Sequence, residues 1–278
     1  MRLAICSFSF HRLLAEGKQD MFRYITDCKE LGCTQLDPWN AHLADLKKGD
    51  DVLHVGHNPG TGKLTAADDE YIDRVKKAAD KAGMPFGCVA VDGAHIYEAD
   101  KAKRDANRQV AYRWLDVARK LKPEQMRIDA GGPEDMPPPV FEVIKEGYRD
   151  LIDRARDIGV QILFENHFGP SKHPDNVLRL LEIEGLGYLF DTNNWAQGKR
   201  DEGWEKCHKY AAATHIKTLK WDDKGNEPTV DIPRAIRMLI AAGYRGAWGI
   251  ESVPREIDEY QGVRNTIALI KRSVAEAS

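Results

Sequence analysis

Leu163-Phe164-Glu165-Asn166-His167 is a short apolar run that closes on an acid, and the chain repeats that design three times further on. Tyr188-Leu189-Phe190-Asp191 closes on Asp191, Ala213-Thr214-His215-Ile216-Lys217 carries His215, and Ala247-Trp248-Gly249-Ile250-Glu251 closes on Glu251. The four polar groups are separated by 26, 24 and 36 residues, each interval long enough for one strand and one helix. Parallel strands point the same way, so their C-terminal ends meet on one face. The pattern predicts two glutamates, an aspartate and a histidine converging on one point. One carboxylate at a strand end is as readily a helix cap or a surface group. Four in successive units are much harder to explain that way.

Outward from this half, the remaining sequence supplies matching units. Strands are expected at residues 3–9, 34–37, 85–92 and 125–130, then at 160–165, 187–191, 213–218 and 246–251. Apolar spacing predicts helices at 20–31, 68–82, 102–121, from Pro137-Pro138-Pro139 to about 158, and at 173–183, 204–210, 231–242 and 257–275. Gly32, Gly83, Gly159 and Gly243 follow helical runs, where a helix stop favours glycine. Strands and helices alternate in one series with no low-complexity linker. That argues for an α/β protein, a single (β/α)8 barrel over residues 1–278. An open doubly wound sheet is the rival, and the lack of a glycine-rich phosphate loop after the first strand weakens its dinucleotide-binding form. Residues 40–62 read as an irregular loop holding His42, His54 and His57, of a length usually functional or mobile. His54 and His57 are expected to be solvated or lid residues.

Composition narrows the function. The 278 residues are 42% hydrophobic, enough for a sizeable core, and the net charge of -3 offers no broad basic surface for nucleic acid. No run of 18 apolar residues exists, so no membrane span is expected. Met1 to Ser7 enters a strand pattern directly, without the apolar stretch and cleavage site of a signal peptide. Cys6, Cys28, Cys33, Cys88 and Cys207 are scattered and odd in number. They read as reduced, mostly buried thiols of a cytoplasmic protein without disulfides.

Three oxygen donors and one imidazole suit a single hard or borderline divalent ion. Mn²⁺ or Mg²⁺ is favoured, with Co²⁺ as an alternative and Zn²⁺ less suited without thiolates. Phe164-Glu165-Asn166-His167, Phe190-Asp191-Thr192-Asn193, Thr214-His215-Ile216-Lys217 and Gly249-Ile250-Glu251-Ser252 resemble the metal-binding strand ends of the xylose isomerase-like TIM-barrel superfamily, in its sugar (phosphate) isomerase/epimerase branch. The resemblance covers nearly the whole chain, because residues 32–37 and 128–132 also sit where that family has similar strand ends. It implies Glu165, Asp191, His215 and Glu251 as ligands of one divalent ion, with Glu165 and Glu251 also serving as acid and base. It further implies a carbohydrate substrate and a homo-oligomer. The motifs are specific for the superfamily and poorly specific for substrate.

One departure matters. The family often has a second histidine three residues after the Asp191 position, and here that residue is Asn194. In the metal-dependent DNA-repair endonucleases of the superfamily that histidine helps hold a three-metal cluster. Asn194 and the acidic balance therefore count against a nuclease. In the ketohexose 3-epimerases the same histidine contacts substrate, so Asn194 is a candidate contact that does not carry over that exact specificity.

Strand alternation extends the site, since residues two apart share a face. Lys217 shares the face of His215 and is expected to bind a substrate oxyanion or phosphate; alternatively it only neutralises the acids. His167, two after Glu165, either hydrogen-bonds substrate or caps the next helix. Asp129 is expected to pair with Arg127 as a buried support, because an unpaired buried carboxylate is costly. Trp39, Trp195 and Trp221 follow strand ends, where aromatic faces can wall a sugar site. Trp39 and His95 complete the candidate substrate contacts. The expected chemistry is proton transfer beside a carbonyl through an enediolate, giving isomerisation or epimerisation. A lyase or dehydratase acting on a keto-glycoside or keto-inositol is the second reading. A non-catalytic ligand-binding or partner subunit comes third, disfavoured by the two glutamates, and a phosphodiesterase last.

Overall fold

The computed structural model describes residues 1–46 and 65–277, so His54 and His57 lie outside the described residues. Seven strands are present among them: β1 (Leu3–Ile5), β2 (Cys88–Val91), β3 (Gln125–Ile128), β4 (Gln161–Glu165), β5 (Gly187–Asp191), β6 (Ala211–Thr218) and β7 (Trp248–Ser252). All pair in parallel, in the order β1-β7-β6-β5-β4-β3-β2. The place between β1 and β2 is taken by residues 34–39, through single parallel bridges of Asp37 to Cys6, Leu36 to Phe86 and Trp39 to Ala90. Thus the strand expected at 34–37 is a chain of bridges rather than a regular strand. Pro38 interrupts it, having no N–H to offer a ladder, and the Trp39 amide donates to the Ser7 hydroxyl at 2.8 Å. These bridges close the sheet into the expected barrel. The first strand is also shorter than expected, because Ser7–Phe10 winds into a 3-10 turn.

The helices are α1 (His11–Ala15), α2 (Met21–Glu30), α3 (Asp69–Ala82), α4 (Lys101–Leu121), α5 (Pro138–Arg156), α6 (Pro174–Leu180), α7 (Arg200–Cys207), α8 (Ile232–Ala241) and α9 (Glu259–Ala277). Asp20, Asp68, Asp100 and Asp231 cap α2, α3, α4 and α8 by accepting from a backbone N–H three residues on. Each cap is worth about 1 kcal/mol. α7 begins at Arg200, earlier than the apolar spacing suggested, and its expected end at 208–210 is a separate 3-10 turn.

Strand alternation separates two cores. Phe164, Tyr188, Phe190, Ile216 and Ile250 belong to the main core shared with the helices. Cys88, Leu163, Leu189 and Ala213 form a separate buried cluster, the floor inside the barrel. Two residues above Leu163, Leu189 and Ala213 stand Glu165, Asp191 and His215, so the next interior layer is polar. Gly249 lets β7 approach β6 at this level. A Cβ there would meet the Thr214 carbonyl oxygen at 2.1 Å.

Candidate metal centre

Parallel register brings the four strand ends together. Asp191 pairs with His215 across β5 and β6, and Lys217 pairs with Glu251 across β6 and β7. Glu165, Asp191, His215 and Glu251 are all buried, and each offers one ligand atom within 4.8 Å of the others. His215 Nδ1 stands 3.0 Å from Glu165 Oε1 and 3.0 Å from Glu251 Oε2. Asp191 is aimed by its own turn: Oδ1 accepts from the backbone amides of Asn193 and Asn194 at 2.6 and 2.8 Å. Asn166 locks β4 to β5 just beyond Glu165. Its amide nitrogen donates to the Asp191 carbonyl at 3.0 Å, and its amide oxygen accepts from Asp191 N at 2.9 Å and from the Tyr188 hydroxyl at 2.6 Å.

The electrostatics match a cation site. Asp191 Oδ2 is buried with no hydrogen-bond partner among the described residues. Burial, then Glu251 and Glu165, push the Asp191 carboxyl up to about 7 against the opposing pull of Lys217. Glu251 is also pushed up by burial, but Lys217 and His215 outweigh it and hold the carboxyl well below its usual range. Glu165 behaves similarly, lowered by His215, His167 and Arg127 despite burial. Burial draws His215 down, and Glu165 and Cys6 more than reverse it. A buried carboxylate oxygen without a donor, in a set of three carboxylates and one imidazole, fits a divalent ion.

Beside this cluster lies a second one. Arg127 is buried, with Nη1 2.6 Å from Asp92 Oδ1 and 3.1 Å from Asp129 Oδ2. Its Nε stands 3.0 Å from Glu165 Oε2, an ion pair whose N–H is not aimed at the oxygen, so neither atom has a directed hydrogen bond. The expected Arg127–Asp129 pair is therefore present. His167 Nδ1 is 3.0 Å from Asp129 Oδ2. Asp129, Glu165 and His167 also offer atoms within 4.8 Å of one another, but the guanidinium already supplies the positive charge there.

Above the cluster opens a cavity of about 270 Å³. Of the residues singled out in the sequence, Trp39, His167, Asn194, Lys217, His215 and Glu251 line it. Lys217 Nζ is 2.8 Å from Glu251 Oε1 and donates to Asn194 Oδ1 at 3.0 Å. Asn194 Nδ2 reaches Glu165 Oε1 at 3.4 Å. Trp39 donates its indole N–H to Asp92 Oδ2 at 2.8 Å, which fixes it as a wall. His95 is not among the lining residues and stands in a neighbouring cleft. Trp195 packs over Gly203 and Phe190, and Trp221 packs against the main core, so neither walls the cavity. Cys6, Phe8, Asp92 and Phe168 line it and were not singled out, and Arg127 was read only as a support. The same two-residue alternation used for Lys217 would have placed Arg127 on the inward face with Asp129. All five cysteines are free and buried.

Architecture and site together define the class: a parallel α/β barrel whose strand ends carry a cluster able to hold a metal ion. Residues 27–273 match the xylose isomerase-like TIM barrel family, and the chain belongs to it. No curated protein matches the sequence. An L-ribulose 3-epimerase structure superposes with TM-score 0.73 at 16% identity, over 99% of this chain and 95% of the other. A xylose isomerase-like TIM barrel protein from Mycobacterium smegmatis, in complex with magnesium, superposes with TM-score 0.66 at 16% identity, over 100% and 98%. The probable 3-DHS dehydratase of petrobactin synthesis from Bacillus anthracis does so with TM-score 0.69 at 12% identity, over 98% and 99%. At these identities the likeness is one of fold. Among the described residues, no helix is long and apolar enough to cross a membrane.

Proposed function

We propose that this chain is a divalent-metal-dependent sugar isomerase or epimerase, working through an enediolate on a ketose, keto-sugar or derivative. The observation that carries the reading is the pair of buried glutamates, Glu165 and Glu251, each 3.0 Å from His215 Nδ1. Glu165, Asp191, His215 and Glu251 would hold the ion, with Mn²⁺ or Mg²⁺ favoured by the oxygen-rich set. Such an ion would supply Lewis acidity toward a carbonyl and its neighbouring hydroxyl, acidifying the C–H of the hydroxyl-bearing carbon next to the carbonyl. The neighbour that binds magnesium supports this choice.

The chain's own groups supply the proton transfers. Glu251 is held below the usual carboxylate range, burial notwithstanding, by Lys217 and His215, so it is ionised and able to accept a proton near neutral pH. Glu165, on β4, would serve the other face; it is buried beside Arg127 and His215 and is not among the residues that line the cavity. Lys217, an ammonium 2.8 Å from Glu251, is placed to hold an oxygen that gains negative charge. His167 is oriented through Nδ1 by Asp129, which leaves Nε2 for substrate. Asn194 offers a further polar contact at the cavity wall.

Nuclear magnetic resonance in D₂O over a panel of ketoses and keto-glycosides tests this reading. Metal-dependent entry of deuterium beside the carbonyl is expected. Absence of both exchange and conversion throughout the panel refutes it. A lyase or dehydratase is the second reading, favoured by Lys217 as a partly buried ammonium able to donate a proton to a departing hydroxyl and by the dehydratase with the same fold. It would show the same exchange together with an unsaturated product.

A further inference from the structure

The metal cavity does not end at its own wall. Phe168, just after β4, borders both that cavity and a larger cleft of about 740 Å³. His95, Tyr97 and Glu98 form the rest of the cleft's polar and aromatic lining, with Gly131 and Gly132 in its wall. No group in the reading above uses it.

The walls of this cleft are fixed. Ile96 N donates to the Asp129 carbonyl at 3.1 Å and Tyr97 N to the Ala130 carbonyl at 2.8 Å, so the segment after β2 runs along the end of β3. Asn107 Nδ2 donates to the His95 carbonyl at 3.2 Å. Gly131, at φ +66°, permits that approach, because a Cβ would lie 2.6 Å from the Tyr97 carbonyl oxygen. A Cβ on Gly132 would lie 3.0 Å from the Tyr97 ring. The Phe168 ring stands 3.6 Å from the His167 ring and 6.1 Å from the His95 ring, centroid to centroid, which joins the two chambers through one aromatic partition. His95 is nine-tenths buried, and its Nε2 has no hydrogen-bond partner among the described residues.

Size separates the roles. Ligand pockets commonly run from ~300 to ~1,000 Å³. The inner cavity, at about 270 Å³, falls just below that range and suits one sugar ring. The outer cleft is more than twice as large and shares the Phe168 wall with it. Resting on the proposed function, we infer that the substrate is a keto-glycoside rather than a free monosaccharide. Its carbonyl-bearing ring enters the metal cavity, and the glycosidically linked second ring lies in the cleft against Tyr97, Phe168 and His95. Aromatic faces with one polar handle are what a second sugar ring or an aromatic aglycone needs.

The test uses metal-loaded full-length protein and four probes: a keto-hexose, its methyl glycoside, its phenyl glycoside and a keto-disaccharide. Solvent deuterium entry beside the carbonyl gives kcat/KM for each. The phenyl glycoside or the keto-disaccharide is expected to exceed the methyl glycoside by about tenfold or more, the scale of one well-packed ring. Which of the two gains identifies the second ring. Ala99→Trp, at an exposed position on the cleft rim, is expected to bring that ratio close to one, and Tyr97→Ala to lower it. Equal kcat/KM for all four probes, or a ratio unmoved by Ala99→Trp, overturns the inference and leaves the proposed function standing. Exchange with none of the four, in protein shown to contain metal, overturns both.

Discussion

Two buried ionic clusters lie side by side in the barrel mouth, and they solve the same problem differently. In one, Asp92, Asp129 and Glu165 surround Arg127, which brings a permanent positive charge on a covalent tether. In the other, Glu165, Asp191 and Glu251 surround His215 and Lys217; each cluster keeps a carboxylate oxygen without a hydrogen-bond partner among the described residues, Asp129 Oδ1 in the first and Asp191 Oδ2, 3.8 Å from Lys217 Nζ, in the second. Both contain a set of acids and a histidine close enough to share an ion. Closeness alone therefore does not distinguish a metal site from a salt-bridge network; what already stands among the acids does. Burying carboxylates is costly unless a cation accompanies them. In the first cluster the Arg127 guanidinium already lies among the three acids; in the second, Glu165, Asp191, His215 and Glu251 each turn one ligand atom toward a common point that a divalent ion fits.

The largest effect that could break this comparison comes from the ligands. Asp191→Asn and His215→Ala are expected to abolish stoichiometric metal binding in elemental analysis while circular dichroism remains that of a folded barrel. Turnover should fall on the order of a thousandfold, the scale of losing a main electrostatic contribution to a transition state. Full metal retention in both variants would remove the assignment.

Arg127→Ala should act on stability instead. It strands Asp92 and Asp129 without their counter-charge, and breaking a buried pair in this way costs about 3–5 kcal/mol. Denaturant unfolding of the two proteins measures it, and an unchanged midpoint would mean that the guanidinium is not what balances that cluster.

A smaller effect belongs to Asn166, which touches neither cation but joins β4 to β5 through three hydrogen bonds. Asn166→Ala is expected to weaken metal binding by about 10–100-fold, the usual scale for a group that orients ligands. Titration with Mn²⁺ followed by electron paramagnetic resonance would show it.

The smallest effect is that of pH. Asp191, pushed up to about 7 mainly by burial and by Glu251 and Glu165, takes up a proton as pH falls through that value. Only its ionised form binds a cation, so apparent metal affinity should drop by about tenfold per pH unit below 7 and level off above it. His215, raised by Glu165 and Cys6 against the effect of burial, competes for metal with its own proton and steepens the slope. Affinity that is flat from pH 5 to 8 would contradict the balance described for Asp191.

The barrel and the four-residue cluster were legible because their signals are local and periodic. Glu165, Asp191, His215 and Glu251 each follow a run of strand-forming residues, and parallel topology alone carries such ends to one face. Lys217 followed from the period of two. The stave at 34–39 was legible as a place in the order but not as bridges, since Pro38 and the Ser7 hydroxyl act across the chain rather than along it.

Sequence by itself determined the alternation of strands and helices, the capping aspartates and which residues stand at which strand end. These depend on neighbours within a few positions. Tertiary structure alone decided that Arg127 reaches Glu165, that Trp39 walls the cavity while Trp195 packs under a helix, and that His95 belongs to a second chamber. Those outcomes depend on barrel closure and on which loop crosses which strand end. The physical reason is range. Propensity and periodicity act over one turn or one pleat, whereas charge balance and cavity shape are sums over groups that lie tens of residues apart in the clusters and, from Cys6 to Val253, at opposite ends of the chain.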